Sequence, residues 1–322
     1  MASGLILSGC ETHELTLYMQ DLKVNGPVTQ PPIHITKEPR RGEVHVIPHV
    51  SFPTKKKIDG WIEGHTPVNG QGVFQVDTIR NADHSVYFRD PGNVNVYPFQ
   101  GKNLQWEIPA TSVGLDVDVG VSERVALAFG ATYSSTGGSG VWAYRVGLGL
   151  RGNDAKRPLG WRLDFGWMWQ EHLFEALTIV TDRPLSSSAS TVAFYQDRKR
   201  QTSGSFYGAL TINTVKPNWP VNVIFQAGLT RQLISEFEPT VPRPEPSILL
   251  PFFLVNPFER TIIVDRRGEF SPTIFHLMPG AYIDIAESVS LIFGLRFSFV
   301  TGLDHPSPST IISPVLQLDW EL

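Results

Sequence analysis

The chain has 322 residues, of which 18% are charged, and its formal net charge is −4. This mild acidity provides no basic field for nucleic acid, so nucleic acid is not an expected partner. The 28 glycines and 25 prolines interrupt helices, which argues against an all-α fold. No uninterrupted apolar stretch reaches the ~18 to 20 residues of a spanning helix, so any crossing of a membrane has to use strands.

The N-terminal residues contain the one cysteine of the chain, Cys10, which excludes an internal disulfide and a thiolate metal cluster. The sequence Leu7-Ser8-Gly9-Cys10 resembles the lipobox of bacterial lipoproteins. That resemblance implies that Cys10 is acylated and that residues 1–10 are the remnant of a lipoprotein signal. An unmodified thiol in a tail is the alternative.

Residues 11–85 are rich in proline and predict no long element, so we interpret them as a periplasmic tether or accessory segment. His45 and His49 have a metal-like spacing, but Pro48 opposes the helix that would bring both rings to one face. We therefore predict no metal and no cofactor.

From residue 104 onward, apolar side chains recur at every second position, which predicts strands. In the first such stretch, Leu115 and Val117 alternate with Asp116 and Asp118. The pattern recurs in eight further stretches, the last of which ends at Leu322. A closed barrel with both termini on one side needs an even number of strands, so we expect a tenth within Val86 to Phe99 and a barrel over residues 86–322. Eight strands would discard a good stretch, and twelve would require Leu173 to Val180 and Thr191 to Tyr195 to span the membrane.

Three features favour a membrane barrel over a soluble sandwich. Most stretches have about ten residues, as a tilted spanning strand requires. Their second face is rich in Gly, Ala and Ser, which suits a crowded interior, and aromatic residues gather near the ends of the stretches. The C-terminal Leu316-x-Leu318-x-Trp320-x-Leu322 resembles the assembly signal of bacterial outer-membrane β-barrels, as does the architecture of residues 105–322.

The resemblance implies an all-β, antiparallel, up-and-down transmembrane β-barrel in the bacterial outer membrane, in contact with its lipids, with short periplasmic turns and both termini periplasmic. The charged and titratable side chains expected in the lumen are Asp116, Asp118, Arg145, Arg162, Asp164, His276 and Arg296. In a barrel of this size we interpret them as an ion-pair network that closes the interior, with a pore lining as the alternative.

Two acid–histidine pairs are weak candidates for catalysis: Glu171 with His172, and Asp304 with His305. Residues 247–258 form an unusually apolar loop, predicted to bind an envelope protein or to plug the barrel. Its apolar side chains are Ile248, Leu249, Leu250, Phe252, Phe253 and Leu254. The N-terminal segment is a second candidate surface for such a partner.

These features favour a non-enzymatic structural or envelope-assembly component. A narrow channel for small solutes and a membrane-interface hydrolase are the alternatives.

Overall fold

The structure is a computed structural model, and every regular element in its described residues is a strand. It describes residues 13–54, 57–60, 75–76, 104–136, 139–154, 158–184, 191–216, 219–237, 261–264, 268–303 and 309–322. Within these residues, no helix has the length and apolarity to cross a membrane.

The strands, in chain order, are β1 (His13–Asn25), β2 (Val44–Ser51), β3 (Lys57–Gly60), β4 (Gln75–Val76), β5 (Leu104–Glu107), β6 (Ser112–Gly120), β7 (Val125–Thr136), β8 (Ser139–Asp154), β9 (Leu159–Pro184), β10 (Thr191–Thr214), β11 (Asn222–Phe237), β12 (Thr261–Val264), β13 (Gly268–Phe270), β14 (Thr273–Ala286), β15 (Val289–Thr301) and β16 (Ser309–Glu321).

Ten of these strands form a closed ring in the order β2, β6, β7, β8, β9, β10, β11, β14, β15 and β16, and β16 pairs back onto β2. Every neighbouring pair in the ring is antiparallel. Closure leaves no wall strand with an unpaired edge, which is the condition for placing strands in hydrocarbon. The predicted fold class and the count of ten are confirmed.

The predicted position of the tenth strand was wrong. The ring is closed by β2, whereas the predicted stretch from Val86 to Phe99 lies outside the described residues. The sequence did not predict β2 because the stretch contains Pro48. A proline cannot donate a ladder hydrogen bond, so its presence argues against a strand. The structure accommodates this residue at a gap in the pairing, since β16 registers with His49 and with Val46 but not with Ile47 or Pro48.

The two ends of the barrel differ in their connections. Residues 121–124, 155–158, 215–221 and 287–288 make the connections at the end that holds Leu322, which we call the short-turn end. At the opposite, long-connection end lie the connections between the other neighbouring wall strands; residues 52–111 and 238–272 are long, whereas only residues 137–138 join β7 to β8. Short connections recur at the end that holds Leu322, as predicted, while the other end has both long and short ones. The twelve-strand alternative is excluded, because Leu173 to Val180 and Thr191 to Tyr195 only extend β9 and β10.

Side chains alternate between the interior and the outer surface of the wall. On β6, Leu115 is 47% exposed while Asp116 beside it is 2% exposed. The outward faces form a continuous apolar belt, typical of a wall that faces lipid. Aromatic residues flank it toward both ends; they are Tyr133, Trp142, Tyr144 and Trp169 at the long-connection end and Trp161, Trp219 and Trp320 at the short-turn end.

A small cap covers the long-connection end of the ring. It consists of β1, β3 and β5 together with the extension of β9: β1 pairs with residues 173–184 of β9, β5 runs parallel to β1, and β3 pairs with β5. Short β12 also pairs with β1, so Thr261–Val264 is not an extra wall strand. Under the cap lies an apolar core that contains Leu22, Val24, Trp106, Phe174 and Ile274 among others.

The pairing of β1 shows where the first described residues lie. His13 registers with Pro184 at the far tip of the β9 extension, at the end opposite to Leu322. His13 and Leu322 therefore lie at opposite ends of the barrel, and the predicted periplasmic position of both termini stays a prediction. Residues 1–12, including Cys10, lie outside the described residues.

Candidate functional site: an occupied lumen

The lumen holds a stretch of the chain itself. Residues 26–36, which we call the threading segment, leave β1 at the long-connection end and pass through the ring without regular secondary structure. At the short-turn end Lys37 Nζ lies 2.5 Å from Asp284 Oδ1. Every residue of the segment is buried except Gln30, which is half-buried. The chain then reverses through Gly42, whose φ of 83° suits glycine, and enters β2.

The backbone of the threading segment is satisfied by amide side chains of the wall. An extended segment inside a ring has no strand partner, so its carbonyl groups need other donors. Gln226 Nε2 donates to Pro32 O at 2.7 Å, and Gln317 Nε2 donates to Ile33 O at 2.7 Å. Gln170 Nε2 donates to Pro27 O. Because Pro27, Pro31 and Pro32 lack an N–H, the segment needs few acceptors from the wall.

Asn213 on β10 holds the lower part of the segment at two points. Its Oδ1 accepts from Thr36 N at 3.0 Å, and its Nδ2 donates to Thr36 O at 3.0 Å. One side chain thus replaces the pair of hydrogen bonds that a neighbouring strand would supply. Higher in the lumen, the Thr29 hydroxyl donates to Gln170 Oε1 at 2.6 Å and lies 3.0 Å from Ser205 Oγ.

The charged groups of the wall pair mostly with each other. Arg162 donates two hydrogen bonds to Asp118, at 2.6 and 2.7 Å, and one to Asp164 at 2.8 Å. Arg145 binds both carboxylate oxygens of Asp116. Charges out of water require such partners, so these pairs hold the barrel wall together without the threading segment.

Arg296 on β15 is different, because its guanidinium contacts the threading segment. Nη1 donates to Gln30 Oε1 at 2.8 Å, and Nη2 donates to Pro31 O at 3.0 Å and to Gln226 Oε1 at 3.2 Å. Among the described residues, no carboxylate lies within 4 Å of this guanidinium. The side chain therefore links wall and segment without forming an ion pair.

Glycines of the inner face make room for these large polar groups. A Cβ on Gly130 would collide with the Asp116 carboxylate and with Arg145 Nε, and a Cβ on Gly149 would collide with the Arg162 guanidinium. The small residues noted in the sequence thus mark the positions where long side chains fold across the wall.

At the short-turn end, a second group of charges fastens the start of β2. Arg151 Nη1 binds Glu43 Oε1, and His45 Nδ1 lies 2.8 Å from Asp319 Oδ1. Burial by itself would raise the pKa of Glu43, but hydrogen bonds from His45 and the Arg40 backbone and the charge of Arg151 lower it. Glu43 is therefore a carboxylate at neutral pH.

Apolar clusters occupy the lumen on both sides of its polar middle. The core beneath the cap reaches into the mouth through Ile234, Ile274, Val300 and Ile311. In the lower half, Ile33 and Ile35 of the threading segment pack against wall residues, which are Ile224, Met278, Tyr282, Ile292 and Val315. The interior of the described barrel is thus filled by protein for most of its length.

All seven predicted lumen residues are buried in the interior. His276 lies 3.1 Å from Thr230 Oγ1 and 2.9 Å from Ser298 Oγ, so its ring completes a hydrogen-bond chain within the wall. The two histidines considered for a metal have separate partners: His45 contacts Asp319, and His49 Nδ1 lies 3.4 Å from Asp116 Oδ2. No group of three or more potential ligands gathers anywhere in the described part of the chain.

The predicted pairing of Glu171 with His172 was wrong, because neighbouring residues of a strand point to opposite faces. His172 is 0% exposed and lies against Gly26, with Ser203 Oγ at 3.1 Å and Gln232 Nε2 at 2.8 Å. Glu171 instead accepts from Arg200 Nη1 at 3.3 Å. The other candidates, Asp304, His305 and the apolar loop at residues 247–258, lie outside the described residues.

Sequence reasoning missed the threading segment and the amides that bind it. Two signals were present: the prolines at positions 27, 31 and 32, and inward-facing amides on several wall strands. Those amides are Gln170, Asn213, Gln226, Gln232 and Gln317. Uncharged side chains that both donate and accept suit a peptide backbone better than a solute path.

No family model and no curated protein matches the chain. Similar solved structures include the translocator domain of the autotransporter NalP from Neisseria meningitidis, with 9% identity, a TM-score of 0.29 and coverage of 88% of this chain and 89% of that chain. OprB of Pseudomonas putida has 8% identity, a TM-score of 0.24 and coverage of 87% and 94%. The ferric enterobactin receptor PfeA of Pseudomonas aeruginosa has 9% identity, a TM-score of 0.20 and coverage of 88% and 42%. At these TM-scores the similarities say nothing about function. The evidence for the closed barrel is the pairing of the strands within this chain.

Proposed function

We propose that this protein is a non-conducting barrel of the bacterial outer membrane that anchors its own N-terminal segment and the cap. The observation that carries the proposal is the occupied lumen. The threading segment, held by wall amides, runs between an apolar cluster at the mouth and a second one lower down. This arrangement supports a structural component more than a channel, because a solute path requires a continuous wet lumen.

The proposed orientation places the short-turn end in the periplasm, as is usual for outer-membrane barrels. The cap then lies on the outer face, and β1 brings the N-terminal segment to that face. A partner that binds the cap, the N-terminal residues or the apolar segment at residues 247–258 would make the protein part of an envelope assembly. Acylation of Cys10 would add a lipid anchor to the same segment.

A hydrolase has less support. His172 is enclosed between the wall and Gly26, where it has no access to a lipid or aqueous substrate. Its neighbours Ser203 and Gln232 include no carboxylate that could orient the ring for general-base catalysis.

The proposal is tested by reconstituting the purified protein into planar bilayers. Quenching of tryptophan fluorescence by brominated lipids first verifies insertion, since Trp142, Trp161, Trp169 and Trp320 face outward. We expect strong quenching and no unitary conductance. Stable conductance steps from inserted wild-type protein would favour the channel, and a chain that stays folded and soluble without detergent would refute the membrane location.

A further inference from the structure

A cavity of about 50 Å³ remains beside the threading segment, between it and the wall. Its lining includes Arg296, Arg145, Asp116 and His49, together with prolines of the segment and Gln317. A volume of this size holds a few waters, or a small ion with fewer waters. The cavity is therefore large enough for an atomic ion but not for an organic solute of several carbon atoms.

The charges around this cavity do not balance. Among the described residues of the lining, Arg145 and Arg296 contribute two positive charges and Asp116 contributes the one full negative charge. Asp116 already binds Arg145 through both oxygens, so Arg145 and Asp116 neutralise each other. One positive charge, that of Arg296, is left beside the cavity when His49 is neutral.

Arg296 also has unused hydrogen-bonding capacity. The residue is 3% exposed, and in the part of the chain that the structure describes its partners are all neutral oxygens and its Nε has no hydrogen-bond partner. A buried guanidinium without a counter-charge is costly, and an unpaired buried N–H adds to that cost. An anion in the cavity would offset both.

We propose that this cavity binds a small monovalent anion of the halide class, held by the guanidinium of Arg296 beside the threading segment. Chloride is the natural occupant by size and abundance. It would fasten the segment to the wall, because the same guanidinium binds Gln30 and Pro31 of the segment. A sugar or a longer carboxylate is disfavoured by the volume of the cavity.

Crystals of the detergent-solubilised, full-length protein grown in bromide test the proposal through anomalous scattering. We expect a bromide peak beside Arg296 in the wild type and in Arg296→Lys, which keeps the charge, and its loss in Arg296→Gln. The matched control is Arg231→Gln on β11, since Arg231 is exposed on the outer wall and its loss should leave the peak unchanged. Absence of the peak from the wild type, or its persistence in Arg296→Gln, would overturn the proposal.

A solution measurement covers the case in which Arg296→Gln does not fold. The thermal midpoint of the wild type, read from heat-modifiable migration, is compared in chloride and in gluconate at equal ionic strength. Gluconate is too large for the cavity, so chloride should raise the midpoint by roughly 3 °C, an effect of the size expected for a site near saturation. Equal midpoints in the two salts would contradict the proposed site, whatever the variants do.

Discussion

Arg145 on β8 reaches across β7 to bind Asp116 on β6, with Nε 2.5 Å from Oδ1. The strand between them carries Gly130 at that level, in register with Asp116 on one side and with Arg145 on the other. The ion pair thus spans three adjacent strands, and it can form because Gly130 on the middle strand has no side chain. The relationship links the glycine-rich inner face seen in the sequence to the charge network of the lumen.

Adding a single methyl group at this position should break the pair. Gly130→Ala forces the carboxylate and the guanidinium apart, and we expect a loss of about 1–3 kcal/mol of stability, as for other overpacked interiors. Heat-modifiable migration reports it as a lower thermal midpoint. Gly208→Ala on β10 is the matched control, because its nearest neighbour would be 3.9 Å away. Equal thermal midpoints for the two variants would show that the ion pair between Arg145 and Asp116 does not pass over Gly130.

The two hydrogen bonds between Asn213 and Thr36 predict that a change of Asn213 alters amide exchange in the threading segment. Asn213→Asp keeps the acceptor for Thr36 N but removes the donor to Thr36 O and places a negative charge beside that carbonyl. Loss of one such hydrogen bond should speed amide exchange roughly fivefold in a peptide spanning residues 29–38. Hydrogen exchange followed by mass spectrometry measures this rate.

Asn222→Asp is the control for that experiment. Asn222 lies at the same end of the barrel, but its Oδ1 accepts from Lys216 N and Thr214 Oγ1 rather than from the segment. We expect this variant to exchange like the wild type. If both variants leave the rate in residues 29–38 unchanged, Asn213 does not hold the segment.

Glu43 gives a prediction about pH. Its folded-state pKa is lowered from the ordinary value of 4.5, so its ionised form stabilises the fold at neutral pH. That contribution is complete above the unfolded-state pKa and is lost as the pH falls through the folded-state pKa. Glu43→Gln should therefore lower the thermal midpoint at pH 7, and the gap to the wild type should narrow below about pH 4.5.

The matched control for this prediction is Glu38→Gln. The Glu38 side chain is 75% exposed and forms an exposed ion pair with Arg40, so its replacement should change the midpoint little at any pH. A gap for Glu43→Gln that stays constant down to pH 3 would show that ionisation of Glu43 does not stabilise the barrel.

The wall could be predicted from the sequence because lipid and lumen impose opposite demands on successive residues. Leu115 and Asp116 indicate the apolar and the polar face of β6, and the same two-residue alternation recurs in the later wall strands as far as β16. The strand β2 escaped prediction because Pro48 and its histidines mask the alternation. The error on Glu171 and His172 was avoidable, since the period of β9 places them on opposite faces.

The occupied lumen could not be predicted, because it depends on contacts distant in sequence. Thr29 meets Ser205, and Thr36 meets Asn213, only after the ring has closed around the segment. Local pattern marks Pro31 and Pro32 as irregular, and irregular residues are ordinarily placed outside a barrel. No period in residues 26–36 distinguishes a tether in solvent from a segment held in the lumen.

The central claim is that residues 26–36 lie inside the barrel, and a disulfide tests it most directly. Thr29 Oγ1 and Ser205 Oγ are 3.0 Å apart, so Thr29→Cys with Ser205→Cys, in a Cys10→Ser background, should oxidise to one intramolecular bond. Mass spectrometry of the folded, detergent-solubilised protein should find the two peptides linked, with neither thiol labelled by a water-soluble maleimide. Free thiols that take up the maleimide in the folded protein, with no linked peptide, would contradict the claim.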